Sequence, residues 1–141
     1  MTMGWMQKAG RTDFHGLRVL IAEDNALYGE LIAELLAMLH ATVSLAHSGD
    51  EAVRMLRERA YDAVLMDVLM PGMDGYETTR AIRKLDKAHN GEVPVFAMTA
   101  ESDEETRRQA REAGMNAFLG KPVEMRKLDE LLGMTLSQRA G

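Results

Sequence analysis

The 141-residue chain contains no cysteine. That excludes disulfides, thiolate-ligated zinc and a cysteine nucleophile, and it fits a reducing compartment. An excess of basic charge is also missing. Seventeen Lys and Arg stand against 22 Asp and Glu, for a formal net charge of −5. This gives no support to a general nucleic-acid or membrane-surface binder. No apolar run approaches the ~18–20 residues that cross a bilayer. The first residues, MTMGWMQKAGRTDFHG, lack the continuous apolar segment of a signal peptide. The expectation is a cytoplasmic protein without membrane insertion. Proline is scarce, with Pro71, Pro94 and Pro122 as the three instances.

What is present fits one ordinary globular domain. The hydrophobic fraction is 46% and the charged fraction 28%, both usual for a soluble core-forming chain. Residues 1–16 are mixed and without periodicity, and read as a flexible tail or linker, although Trp5 could dock on the domain. From residue 17 the pattern alternates. Residues 17–22, 42–46, 63–66, 95–98 and 117–119 are short apolar runs that read as strands. Helical patterns stand between them. Leu27, Leu31, Ile32, Leu35, Leu36 and Leu39 recur at helical spacing. Ser48-Gly49-Asp50-Glu51 reads as a capping box that opens a second helix carrying Ala52, Val53 and Leu56. A weaker pattern over 76–85 turns Ile82 and Leu85 inward. Ser102-Asp103-Glu104-Glu105 reads as a further capping box, whose helix stops near Gly114. Met125, Leu128, Leu131 and Leu132 form a stripe on a last helix over 124–132.

Strands of continuous apolar character joined by helices imply an α/β domain with a parallel sheet covered on both faces. It spans residues 17–133 and leaves 134–141 as a C-terminal tail. All three prolines fall between elements, where a missing N–H does least harm.

In such a sheet ligands bind beyond the carboxyl ends of the strands, where the winding reverses. Glu23-Asp24-Asn25 follows the first strand, Asp67 the third, Thr99-Ala100 the fourth and Lys121-Pro122 the fifth. Two acids, a third acid, a hydroxyl and a lysine therefore converge on one edge. Clustered carboxylates raise one another's pKa unless a cation relieves them. A small all-oxygen donor set suits magnesium, which favours a phosphate as co-ligand. A carboxylate can itself act as a nucleophile and become an aspartyl phosphate. Lys121 would add a point charge, and the Thr99 hydroxyl a hydrogen bond, for the phosphoryl oxygens. Plainer readings stand beside these. Asn25 can cap the first helix, Lys121 can be a solvated surface lysine, and Phe118 can be a fixed core aromatic. Asp74-Gly75 reads as a turn with a possible capping role. His15, His40, His47 and His89 show no metal-ligand spacing.

Taken in order, Glu23-Asp24-Asn25, Asp67 within DVLMPGMDG, Thr99-Ala100, and Lys121-Pro122 with Phe118 upstream resemble the receiver (response-regulator) domain of two-component phosphorelay signalling. The resemblance covers residues 17 to about 132. It implies a flavodoxin-like, doubly wound (βα)5 fold with a five-stranded parallel sheet in the order 2-1-3-4-5. Asp67 would take a phosphoryl group from a phosphohistidine. Asp24 and Asp67 would bind Mg2+ directly, the backbone carbonyl of Leu69 would complete the protein ligands, and Glu23 would act through water. Lys121, with a cis bond to Pro122, would contact the acyl phosphate. Thr99 would swing toward the phosphoryl group beside Ala100, and Phe118 would fill the vacated space. Phe in place of the family's frequent Tyr leaves a switch by packing alone.

The implied partners are a histidine kinase or histidine phosphotransfer protein and a downstream effector. The fourth helix, with Arg107, Arg108 and Arg111, offers a partner surface. Glu101 and Leu69 lie where they could gate water. The motif wording is similar to receivers of hybrid histidine kinases, with a stand-alone regulator as the alternative. The domain would be no enzyme beyond self-phosphorylation and autodephosphorylation. Two other classes remain: a pseudo-receiver that binds partners without phosphorylation, and a phosphatase using an aspartyl phosphate. The latter normally carries a second Asp two residues after the nucleophile, where this chain has Leu69.

Overall fold

Successive side chains on a strand point to opposite faces, and in this chain both directions are apolar. A computed structural model describes residues 13–101 and 103–140. Its strands are β1 (Arg18–Ala22), β2 (Thr42–Ala46), β3 (Ala63–Asp67), β4 (Val95–Thr99) and β5 (Ala117–Gly120). The helices are α1 (Ala26–Met38), α2 (Gly49–Glu58), α3 (Gly75–Arg83), α4 (Glu104–Ala113) and α5 (Met125–Ala140), with a 3-10 turn at Lys87–His89. All strand pairs are parallel, and the order is β2-β1-β3-β4-β5.

The alternation sorts the core into two layers. Val19, Ile21, Leu65 and Met98 pack with Ile32 and Leu36 of α1 and Leu128 and Leu132 of α5. Leu20, Ala22, Val64, Met66 and Ala97 pack with Ala52 and Leu56 of α2, Ile82 of α3 and Ala110 of α4. The chain winds outward from β1 to β2 and then crosses back to β3. The reversal therefore lies between β1 and β3, and their carboxyl ends meet there.

Several boundaries differ from the sequence reading. The tail expected over 1–16 ends early: Phe14 is fully buried, and its N–H donates to the Leu39 carbonyl at 2.8 Å. Ring burial outweighs the polar residues around it. Residues 1–12, Trp5 included, lie outside the described residues. The tail expected at 134–141 is helix as far as Ala140. Thr135 and Leu136 extend the buried stripe of α5 beyond Leu132. Leu27 and Leu31 share the helical spacing of α1 but are 79% and 51% exposed.

The expected capping boxes also differ in detail. Ser48 Oγ accepts from Glu51 N–H at 3.1 Å, but the Glu51 carboxylate returns to His47 N–H, so the reciprocal box is not closed. Asp103, rather than Ser102, caps α4 by accepting from Thr106 N–H at 2.8 Å; Ser102 itself lies outside the described residues. The complete box belongs to Asp74 and Glu77 at α3.

Candidate functional site

Strands β1, β3, β4 and β5 each deliver a polar group at their carboxyl ends, because the apolar run stops there while the ladder still holds the backbone. Glu23 N–H donates to the Ala46 carbonyl at 3.0 Å, which fixes the residue just past β1. The residue is 2% exposed, and one carboxylate oxygen accepts from Asn25 N–H at 3.0 Å. Asn25 in turn caps α1 by accepting from Tyr28 N–H at 3.0 Å. Asp24 is exposed. Asp67 ends β3 at 3% exposure, and Thr99 ends β4 at 4%. Lys121 N–H donates to the Thr99 carbonyl at 2.9 Å, which sets the lysine beside these ends. The Lys121–Pro122 peptide is cis, as expected.

The side chains then converge. Lys121 Nζ lies 2.9 Å from Glu23 Oε1 and 3.0 Å from Asp67 Oδ1. Leu69 N–H reaches Asp67 Oδ1 at 3.3 Å, while the Leu69 side chain stands 70% exposed at the mouth. Glu23, Asp24 and Asp67 each offer an oxygen within 4.8 Å of the others. The loop beyond Asp67 folds back closely enough to require glycine: a Cβ on Gly75 would meet the Asp67 carbonyl oxygen at 2.4 Å.

Two buried acids thus pair with one ammonium, with the exposed Asp24 carboxylate close by. Burial pushes the Asp67 carboxyl up to about 7, and Glu23 adds to the shift while Lys121 opposes it. Burial disfavours the Lys121 charge, but Glu23 and Asp67 outweigh it and hold the ammonium above its ordinary pKa. Glu23 Oε1 is enclosed without a well-aligned hydrogen bond, its near neighbour being the Lys121 ion pair. A buried, electron-rich, all-oxygen donor set of this kind fits a hard divalent cation.

The remaining candidates divide. Thr99 Oγ1 accepts from Glu101 N–H at 3.0 Å, and Ala100 is exposed next to it. Phe118 is half-buried, with the Arg107 guanidinium 5.2 Å from its ring centroid. Arg107, Arg111, Phe118 and Lys127 line a hollow of 240 Å³ between α4, β5 and α5. Arg108 does not join that face, because Glu105 and Glu112 on its own helix hold it. Tyr28 was missed by the sequence reading. Its ring lies 5.1 Å from Lys121 Nζ and its hydroxyl accepts from Val123 N–H at 2.8 Å. These contacts span nearly a hundred residues of chain, so no local pattern announces them.

Residues 19–133 match the family model of the response regulator receiver domain. The chain belongs to this family. As a receiver domain it is 37% identical over 129 residues to probable histidine kinase 2 of rice, Oryza sativa subsp. indica. That alignment takes in 82% of this chain and 12% of the relative, so the chain spans a small part of the kinase it matches. It is similar to the receiver domain of the sensor histidine kinase PA1611 from Pseudomonas aeruginosa PAO1, solved with magnesium coordinated in its active site cleft. The identity is 35% and the TM-score 0.79, over 86% of this chain and 98% of that one. It also resembles a chain in the Saccharomyces cerevisiae co-crystal of the histidine phosphotransfer protein Ypd1 with the receiver domain of Ssk1. There the identity is 30% and the TM-score 0.75, over 82% of this chain and 85% of that one. The receiver family expected from the motifs and its 2-1-3-4-5 sheet are both met. Among the described residues no helix is long and apolar enough to cross a membrane.

Proposed function

We propose that this receiver domain accepts a phosphoryl group on Asp67 from a phosphohistidine, carried by a histidine kinase or a histidine phosphotransfer protein. The observation that carries the reading is the enclosure of Asp67. It is 3% exposed, 3.0 Å from Lys121 and grouped with two further carboxylates. In the transfer, an Asp67 oxygen bonds to phosphorus as the bond from phosphorus to the donor imidazole nitrogen breaks. The imidazole leaves with that electron pair and takes up a proton. Lys121 exchanges carboxylate contacts for a phosphoryl oxygen, and the small Ala100 side chain leaves room beside it. The Thr99 hydroxyl keeps its own proton free to donate there, since its oxygen now accepts from Glu101.

Asp24, Asp67 and the Leu69 carbonyl would hold Mg2+ directly, with Glu23 acting through water. The bound ion would draw negative charge off the phosphoryl oxygens. When Thr99 turns inward, Phe118 follows into the freed space, and the Arg107–Arg111 hollow changes shape for a downstream partner. Arg108 stands outside that surface. The acceptor unit comprises residues 17–133 together with Phe14 and the continuation of α5 that carries Thr135 and Leu136. It acts in the cytoplasm and turns over nothing beyond its own phosphorylation and dephosphorylation. The similarity to segments of histidine kinases supports a place in a hybrid-kinase relay.

The test is to incubate the protein with Mg2+ and acetyl phosphate and weigh it. One added phosphoryl group is expected in the wild type and none in Asp67→Asn. An unchanged wild-type mass would replace this reading with a partner-binding module that is not phosphorylated.

A further inference from the structure

Lys121 has a long, flexible stem and two carboxylates to choose between, yet in the proposed reaction it must move to a third acceptor. An ammonium on such a stem has little intrinsic order. The structure supplies a second hold. Lys121 Nζ lies 5.1 Å from the centroid of the Tyr28 ring while contacting Glu23 and Asp67 at 2.9 and 3.0 Å. The same Tyr28 accepts a 2.8 Å hydrogen bond from Val123 N–H through its hydroxyl. One side chain therefore grips the 121–123 segment twice, at the ammonium and at the backbone.

Tyr28 is itself fixed. Its N–H donates to the Asn25 cap at 3.0 Å, and its ring packs on the core layer beneath α1. A ring face attracts a cation without fixing one direction of approach, unlike a carboxylate oxygen. It can hold an ammonium through a change of acceptor.

We propose that Tyr28 is a positioning residue for phosphoryl transfer. Its ring keeps the Lys121 ammonium at the site mouth as the lysine passes from the Asp67 carboxylate to the incoming phosphoryl oxygen. Its hydroxyl fixes the loop that carries the lysine. This rests on Asp67 being the phosphoacceptor. A residue that only filled volume would be replaceable by leucine, whereas one that acts through its ring is replaceable by phenylalanine.

The experiment measures phosphorylation by acetyl phosphate at saturating Mg2+ in a double-mutant cycle. Tyr28→Leu is expected to lower the maximal rate about 5- to 10-fold, the range of a partly desolvated cation–ring contact. Tyr28→Phe, which keeps the ring and loses the hydroxyl hold on Val123, should lose less rate than Tyr28→Leu while speeding amide exchange at Val123. In a Lys121→Ala background Tyr28→Leu should change nothing further, because the two act as one unit. An equal loss in both backgrounds, or no loss in either, would overturn the proposal.

A second measurement does not depend on the variants folding. In the NMR spectrum of the wild type, the Lys121 ε-methylene protons should be shifted upfield by the ring. Signals at the ordinary lysine position would also overturn it. A wild type that takes up no phosphoryl group would instead remove the phosphoacceptor reading itself, and this inference with it.

Discussion

At the scale of single residues, Asp67 governs the pH behaviour. Its ordinary carboxyl value is 3.8, and in the folded domain burial lifts it to about 7. The folded state therefore binds the extra proton between these values. The stability this group contributes is fully present below about 4 and is lost as pH rises through about 7. Two outcomes follow for the metal-free protein. Asp67→Asn should raise the Tm by a few degrees at pH 8, where Lys121 only partly offsets the buried charge, and by little near pH 5. Mg2+ should raise the wild-type Tm at pH 8 and lose that effect toward pH 5, as proton and cation compete for one carboxylate. Thermal scans at the two pH values, with and without Mg2+, check both. An Asn variant destabilised equally at both would mean that Asp67 is held by its partners rather than strained by them.

At the scale of elements, α1 carries a conflict between pattern and place. Leu27, Leu31 and Met38 fall within about 40° on a helical wheel, and they are 79%, 51% and 50% exposed. The inward stripe is instead built from Ile32, Leu36 and Leu39. If Asp67 is the phosphoacceptor, this apolar outer stripe, which starts three residues after Asp24, would suit a protein donor that must reach Asp67. Leu27→Asp should slow transfer from a phosphohistidine protein by at least about 10-fold, the cost of losing one well-packed interface anchor. Its rate with acetyl phosphate should stay within about 2-fold, since a small donor needs no docking. Parallel assays with the two donors separate these effects, and equal slowing in both would place Leu27 in the chemistry or the fold.

At the scale of the whole molecule, the two ends of the sheet do different work. The carboxyl ends collect the acids, Thr99 and Lys121. Near the opposite end, Arg83 from α3 ties two connections together, the one leading into β4 and the one between α4 and β5. It donates to the Gly91, Val93 and Gly114 carbonyls and to Asn116 Oδ1 at 2.7–3.1 Å. Asn116 Oδ1 also accepts from Val95 N–H at the start of β4. Arg83→Met would fill part of the volume and leave those carbonyls short of donors, at a cost of about 2–3 kcal/mol. Urea unfolding should show that loss, with the yield of phosphorylated protein at low urea unchanged. A coupled fall in phosphorylation would mean that this end of the sheet also orders the site.

The sequence by itself determined the element types and the parallel sheet, and it singled out the polar residues at the strand ends. Apolar periodicity and the polar residue closing each run are local, and Asp67, Thr99 and Lys121 each advertise themselves by interrupting a strand pattern. Even the turn at Asp74-Gly75 was legible, because the Asp74 carboxylate caps α3 by accepting from Glu77 N–H only three residues on. Tertiary structure alone decided which half of the α1 pattern faces inward, since several leucines fit the helical period and the sheet selects among them. It decided that Phe14 joins the core and that α5 runs on to Ala140, because burial there depends on surfaces built by distant segments. It also brought Tyr28 to Lys121 and Arg83 to Gly114. Such pairs leave no mark in the local pattern, and only the winding of the sheet brings their members together.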